Sequence, residues 1–122
     1  MVKLLIVDDD IPTSDFLSRY FGKIDYEVFT ANDGERALSI VREKQPNIIL
    51  LDIKMPGLSG ITVLQKIKEI DKNAKVIMMT AVRDEEVIKL AMEYGASDYI
   101  PKPFSLEHLE KDVMPKIISQ LL

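Results

Sequence analysis

Four places along the chain carry groups that could do chemistry together. Asp8, Asp9 and Asp10 stand side by side after the apolar run 4–7, Asp52 follows NIILL, Thr80 follows VIMM, and Lys102 stands between Pro101 and Pro103. Neighbouring carboxylates repel, and each disfavours ionisation of the next. Acids at the end of an apolar segment are therefore either a solvated turn or a site that needs a cation. Carboxylates and backbone carbonyls make a hard-oxygen site that suits Mg²⁺, and with no cysteine in the chain a thiolate metal site is excluded. A carboxylate beside such a cation can attack phosphorus and form an aspartyl phosphate. An ammonium such as Lys102 would neutralise the transferred oxygens, and a hydroxyl such as Thr80 would hydrogen-bond them.

These groups act together only if the fold brings them to one place. Short apolar runs at 3–7, 26–30, 47–51, 75–79 and 98–100 read as strands. IILL and VIMM are apolar at consecutive positions, as in strands buried on both faces of a parallel sheet. Helical spacing fills the gaps. Phe16, Leu17, Tyr20 and Phe21 make one stripe, with Pro12 in its first turn. Ala37, Leu38 and Val41 make a second behind Asn32 or Asp33, and Val63, Leu64, Ile67 and Ile70 a third opened by Ser59. Val87, Ile88, Ala91 and Met92 make a fourth closed by Gly95. Leu106, Leu109, Val113 and Ile117 make a fifth capped by Ser105, within which Pro115 is expected to kink or break the helix. Serial β-then-α units predict a doubly wound α/β domain with helices on both faces. The strand ends then share one edge, where ligands of open α/β sheets bind. Asp8, Asp9, Asp52, Thr80 and Lys102 all fall there.

Composition narrows the classes. At 122 residues, 47% hydrophobic and 30% charged, the chain reads as one folded domain over 1–122. A net charge of −4 with no basic cluster argues against direct nucleic-acid binding. The apolar run 4–7 is too short for a signal peptide, and nothing approaches a membrane span. A cytoplasmic protein with no membrane contact is the expectation.

LLIVDDD, IILLDIKMPGLSG, VIMMTA and GASDYIPKPF occur in order and at matching spacing, and with them the whole chain resembles a response-regulator receiver domain, the CheY-like phosphoacceptor of two-component and phosphorelay signalling. The resemblance implies a flavodoxin-like (βα)₅ sandwich with a five-stranded parallel sheet in the order 2-1-3-4-5. It implies Asp52 as phosphoacceptor, with Asp8, Asp9, Asp52 and the Lys54 backbone carbonyl around Mg²⁺. It implies Thr80, Ala81 and Lys102 on the phosphoryl group, Tyr99 as the switch aromatic, and a cis Lys102–Pro103 peptide. The implied donor is a phosphohistidine on a histidine kinase or phosphotransfer protein. The implied output is a changed face of helix 4, strand 5 and helix 5 that controls an effector; a homodimer formed on phosphorylation stays open. Lys54, two residues after the acceptor, and Val82, two after Thr80, stand where the family varies. A long cation at 54 suggests slow self-dephosphorylation, as in phosphorelay receivers, and DIKMPG resembles the sporulation type.

Simpler readings apply to several residues. Asp10 is expected to be a helix N-cap rather than a ligand. His108, the one histidine, reads as solvated, and Met78, Met79 and Met92 read as core. RDEE at 83–86 reads as the acidic start of a helix. Met114, Ile118, Leu121 and Leu122 form a second apolar row that suits core, a dimer surface or a signalling helix. The rival function is a small phosphatase of the haloacid dehalogenase type, because DDDIPT imitates its Asp-x-Asp element through Asp8 and Asp10. That rival leaves Asp52 without a role and has Pro12 where Thr or Val belongs. A flavodoxin would meet three acids where its FMN phosphate binds, and a degenerate receiver would lack site residues that are all present here.

Overall fold

The computed structural model describes residues 1–81 and 85–122. Strands β1 (Lys3–Val7), β2 (Glu27–Ala31), β3 (Ile48–Asp52), β4 (Lys75–Thr80) and β5 (Asp98–Pro101) alternate with helices α1 (Ile11–Lys23), α2 (Gly34–Lys44), α3 (Gly60–Ile70) and α4 (Glu85–Glu93). The last helix, α5, runs in three sections: Leu106–His108, a π-helical turn Leu109–Val113, and Met114–Leu121. All strand pairs are parallel, in the order β2-β1-β3-β4-β5. The flavodoxin-like α/β fold is therefore the observed one.

Alternation along each strand divides the core in two. Leu5, Val7, Ile49, Leu51, Val76 and Met78 point to one layer with Leu38, Val41, Val63, Leu64 and Ile67 of α2 and α3. Leu4, Ile6, Ile48, Leu50, Ile77, Met79 and Ile100 point to the other, with Leu17 and Phe21 of α1 and Leu109, Val113 and Ile117 of α5. Residues 48–51 have no exposed surface, and each such aliphatic side chain contributes about 1.5–3 kcal/mol by leaving water. That burial fixes the register, because a slip by one residue would exchange the two layers.

Caps set the helix starts. Asp10 caps α1, Asp33 rather than Asn32 caps α2, Ser59 caps α3 and Ser105 caps α5. Gly95 ends α4 at φ +102, a conformation that favours glycine.

Several expectations need correction. Strand β2 starts one residue later than expected, because the Tyr26 N–H is held by the Phe21 carbonyl of α1 at 3.1 Å. Strands β3, β4 and β5 each run one residue further, onto Asp52, Thr80 and Pro101, because the ladder continues through them. Pro115 does not break α5. The wider π turn before it relieves the clash between a proline ring and the preceding turn, so the helix continues to Leu121. Met92 is 42% exposed rather than core: within α4 Ala91 takes the buried position and Met92 lies beside it. His108 is not simply solvated. Its ring stacks on Phe104 at 6.0 Å, Nδ1 lies 2.9 Å from Asp112 Oδ2, and Nε2 is buried without a partner. In the second apolar row Met114 packs on the core, while Ile118, Leu121 and Leu122 are exposed. Val82 and the first half of the 83–86 acidic run lie outside the described residues, and α4 begins at Glu85. Among the described residues no helix is long and apolar enough to cross a membrane.

Candidate functional site

The carboxyl ends of β1, β3, β4 and β5 meet at one edge of the sheet. Asp8 follows β1, and its N–H extends the ladder to the Ala31 carbonyl at 3.1 Å. Asp52 closes β3 opposite Met79, one residue before Thr80, and Thr80 lies opposite Pro101. Lys102 follows, its N–H donating to the Thr80 carbonyl at 2.8 Å. Parallel register therefore carries four strand ends to one place.

Carboxylate oxygens of Asp8, Asp9 and Asp52 lie within 4.8 Å of one another. Asp8 is fully buried, Asp52 is 5% and Thr80 4% exposed, and Asp9 is open to solvent. The Lys102 ammonium donates to Asp8 Oδ2 at 2.7 Å and to Asp52 Oδ2 at 3.2 Å. The Lys54 N–H donates to Asp52 Oδ1 at 3.3 Å. The peptide between Lys102 and Pro103 is cis, as expected.

Asp10 stays out of the cluster. Its carboxylate caps α1 by accepting from the Thr13 N–H at 3.2 Å and from the Thr13 hydroxyl. The Thr13 hydroxyl bond is the main reason its pKa falls below the usual carboxylate value. The Asp10 N–H has a further task, donating to Asp8 Oδ1 at 2.9 Å and orienting the buried acid. Tyr99, on β5, is 38% exposed; Lys116 of α5 stands 5.3 Å above its ring and donates to its carbonyl at 2.8 Å. Ala81 is exposed next to Thr80.

Electrostatics follow from burial. Desolvation pushes Asp52 up to about 6; Lys102 pulls it back, and the Asp8 charge adds to the rise. Desolvation alone would lower the Lys102 pKa, but the Asp8 hydrogen bond and the two carboxylate charges outweigh it and raise the value. Carboxylate oxygens with no sulfur and no imidazole among them fit a hard divalent cation such as Mg²⁺. The mouth of the site is an open cavity of about 430 Å³ lined by Asp9, Ile53, Lys54, Met55, Pro56 and Ser59.

Residues 4–114 match the response regulator receiver domain family. The chain belongs to that family. Sporulation initiation phosphotransferase F of Bacillus subtilis (strain 168) is 39% identical over 116 residues, covering 95% of this chain and 93% of the relative. The probable transcriptional regulator ycf27 of Cyanophora paradoxa is 42% identical over 108 residues, covering 88% of this chain and 45% of the relative. This chain thus spans about half of that regulator's length. Among solved structures, the CheX-CheY-BeF3-Mg+2 complex of Borrelia burgdorferi matches with a TM-score of 0.90 at 35% identity, over 99% of this chain and 90% of that one.

The protein is thus a receiver domain of two-component signalling, a family whose members accept phosphoryl groups and interact with histidine kinases and effectors. The phosphatase alternative is not favoured, since the Asp10 side chain it needs is used as a helix cap. The expected site residues of this receiver gather at one edge, except that the half-exposed Tyr99 on β5 lies outside the carboxylate cluster and lines a separate cavity together with Thr80. Two features were not anticipated: the direct Lys102–Asp8 contact and the Asp10 N–H on Asp8. Only the adjacency of Asp8 and Asp10 hinted at the second.

Proposed function

We propose that Asp52 is the phosphoacceptor and that residues 1–122 form one receiver domain around it. One observation carries this: the buried Asp52 sits among the Asp8 and Asp9 carboxylates with the Lys102 ammonium 3.2 Å from its oxygen. Asp8, Asp9, Asp52 and the Lys54 carbonyl would hold Mg²⁺, and Thr80, Ala81 and Lys102 would receive the phosphoryl oxygens. When bound, the cation supplies charge neutralisation that favours the ionised form of Asp52 and draws the phosphoryl group into line.

The transfer itself is simple. An ionised Asp52 oxygen attacks phosphorus, an O–P bond forms, the N–P bond of the phosphohistidine breaks, and the departing imidazole keeps the electron pair and takes up a proton. Catalysis here consists of positioning and charge stabilisation. Lys102 changes partners, leaving its bridge between Asp8 and Asp52 for the new phosphoryl oxygens. Thr80 and Tyr99 then follow as a two-state shift that alters the α4, β5 and α5 face toward an effector. The donor is a histidine kinase or phosphotransfer protein in the cytoplasm, and the domain assists only its own phosphorylation and dephosphorylation.

The test is phosphotransfer from a competent phosphohistidine donor, together with a beryllofluoride titration with and without Mg²⁺. The wild type should gain a hydroxylamine-labile phosphate and bind beryllofluoride only with Mg²⁺, and Asp52→Asn should do neither. Equal phosphorylation of Asp52→Asn would remove the assignment. Sustained turnover of p-nitrophenyl phosphate would revive the phosphatase instead.

A further inference from the structure

The start of α3 is pressed against the backbone of the strand end that carries Asp52. A Cβ built on Gly60 would lie 2.2 Å from the Asp52 carbonyl oxygen and 2.7 Å from Cα of Ile53. Carbon–oxygen contacts normally stop at about 3.3–3.6 Å. Both obstacles are backbone, which cannot swing aside as a side chain can. The Gly60 N–H also donates to the Ile53 carbonyl at 2.9 Å. That bond closes the loop 53–59, which carries Lys54. At the loop's start the Ile53 N–H donates to the Met79 carbonyl at 3.1 Å, and at its end Ser59 caps α3. The first residue of α2 holds the same loop from outside: a Cβ on Gly34 would lie 3.1 Å from Leu58 Cβ.

We propose that Gly60 is a positioning residue for cation binding: because it has no Cβ, α3 docks on the Asp52 carbonyl, and this docking sets the place of the Lys54 carbonyl beside the three carboxylates. The inference rests on the reading that this carbonyl is a Mg²⁺ ligand. A backbone carbonyl has no rotamers of its own, so only the path of the loop decides where it points. Mg²⁺ demands near-ideal octahedral geometry at about 2.0–2.1 Å. An alanine at 60 would force α3 back by about 1 Å, which a ligand of so rigid a cation cannot absorb.

The experiment compares wild type and Gly60→Ala by Mg²⁺ calorimetry and by thermal unfolding with and without saturating Mg²⁺. Gly60→Ala should bind Mg²⁺ about 10–100-fold more weakly and, at a fixed Mg²⁺ concentration about 100-fold above the wild-type Kd, lose about half or more of the Mg²⁺-dependent rise in Tm. Ile117→Val, which loosens the opposite core layer, should lower the Mg²⁺-free Tm yet keep the wild-type Kd. A Gly60→Ala protein with wild-type Mg²⁺ affinity overturns the inference and leaves the ligand set standing. A wild type that binds no Mg²⁺ overturns the ligand set itself. If Gly60→Ala does not fold, amide exchange on the wild type decides, because coupling between two sites is reciprocal. Saturating Mg²⁺ should then slow the Gly60 amide at least about tenfold more than that of Gly95, which ends α4 away from the loop. Equal slowing of the two overturns the proposal.

Discussion

Asp52→Asn should stabilise the metal-free protein at neutral pH while abolishing phosphorylation. Burial holds Asp52 at about 6, above the 3.8 of a free aspartate. A carboxyl whose pKa is raised in the folded state is stabilising when protonated and costs stability once ionised. The cost is nearly absent below pH 4, grows as pH rises from about 4 to 6, and then levels off. At roughly 1.4 kcal/mol per pH decade, the plateau is about 3 kcal/mol at pH 7–8 and falls to about 1 kcal/mol at pH 4.5. Asparagine resembles the neutral acid in shape and has no charge to desolvate, and in the variant Lys102 keeps its 2.7 Å bond to Asp8. Urea unfolding in EDTA across pH 4.5–8 should show the variant pulling ahead of wild type through that window. At neutral pH the gap should amount to roughly 10 °C in Tm. Adding Mg²⁺, which favours the ionised carboxylate, should close it. A difference that is flat in pH, or a variant less stable than wild type at pH 8 without Mg²⁺, would refute the account of Asp52 as a buried, destabilising charge.

Further outcomes follow from the same contacts. Lys102→Met should raise Asp52 further, because the ammonium that lowers its pKa is gone, read by carboxyl-carbon NMR titration in EDTA; an unmoved midpoint would mean the 3.2 Å contact is electrostatically idle. Lys54→Asn should shorten the lifetime of the aspartyl phosphate roughly tenfold, about 1.4 kcal/mol of barrier, because the long cation no longer covers the acyl phosphate against water; an unchanged rate of phosphate release would remove the idea. Ser59→Ala should lower the urea midpoint by the equivalent of about 1 kcal/mol through loss of the α3 cap, with the slope unchanged.

Much of the fold could be read because the central strands are buried on both faces. NIILL and VIMM leave no other use for consecutive aliphatic residues, and the acids and hydroxyl stand where those runs stop. The caps Ser59 and Ser105 were equally legible, since they sit directly ahead of periodic apolar residues, whereas the choice of Asp33 over Asn32 came only with the structure. What was not legible depends on neighbours distant in sequence. Met92 has the spacing of a core residue, but its exposure follows from which side of α4 the sheet covers. His108 looks solvated in a helix of charged residues, yet Phe104 folds over its ring. Pro115 signals a break by local rules, and a π turn absorbs it. The Lys102–Asp8 bond joins residues 94 positions apart and follows only from register.

Charge balance explains why the site holds three acids and one lysine. Asp8, Asp9 and Asp52 together carry three negative charges when ionised, and the Lys102 ammonium offsets one. Leaving the remainder unbalanced around two buried carboxylates is costly, and the raised Asp52 is the visible result. On the proposed reading, a bound divalent cation would bring the sum close to zero, favour the ionised form of Asp52 and stabilise the fold. Phosphorylation disturbs that balance again, since a phosphoryl group of roughly −1.5 to −2 replaces a single carboxylate charge. On the proposed reading, two nearby groups would compensate the excess: the Lys102 ammonium, by loosening its bond to Asp8, and the strand-end hydroxyl of Thr80 on β4. A switch driven in this way needs no strain stored in advance. It would need only a lysine already shared between two acids, as Lys102 is between Asp8 and Asp52, so that a change in charge at Asp52 could move it from one partner to another.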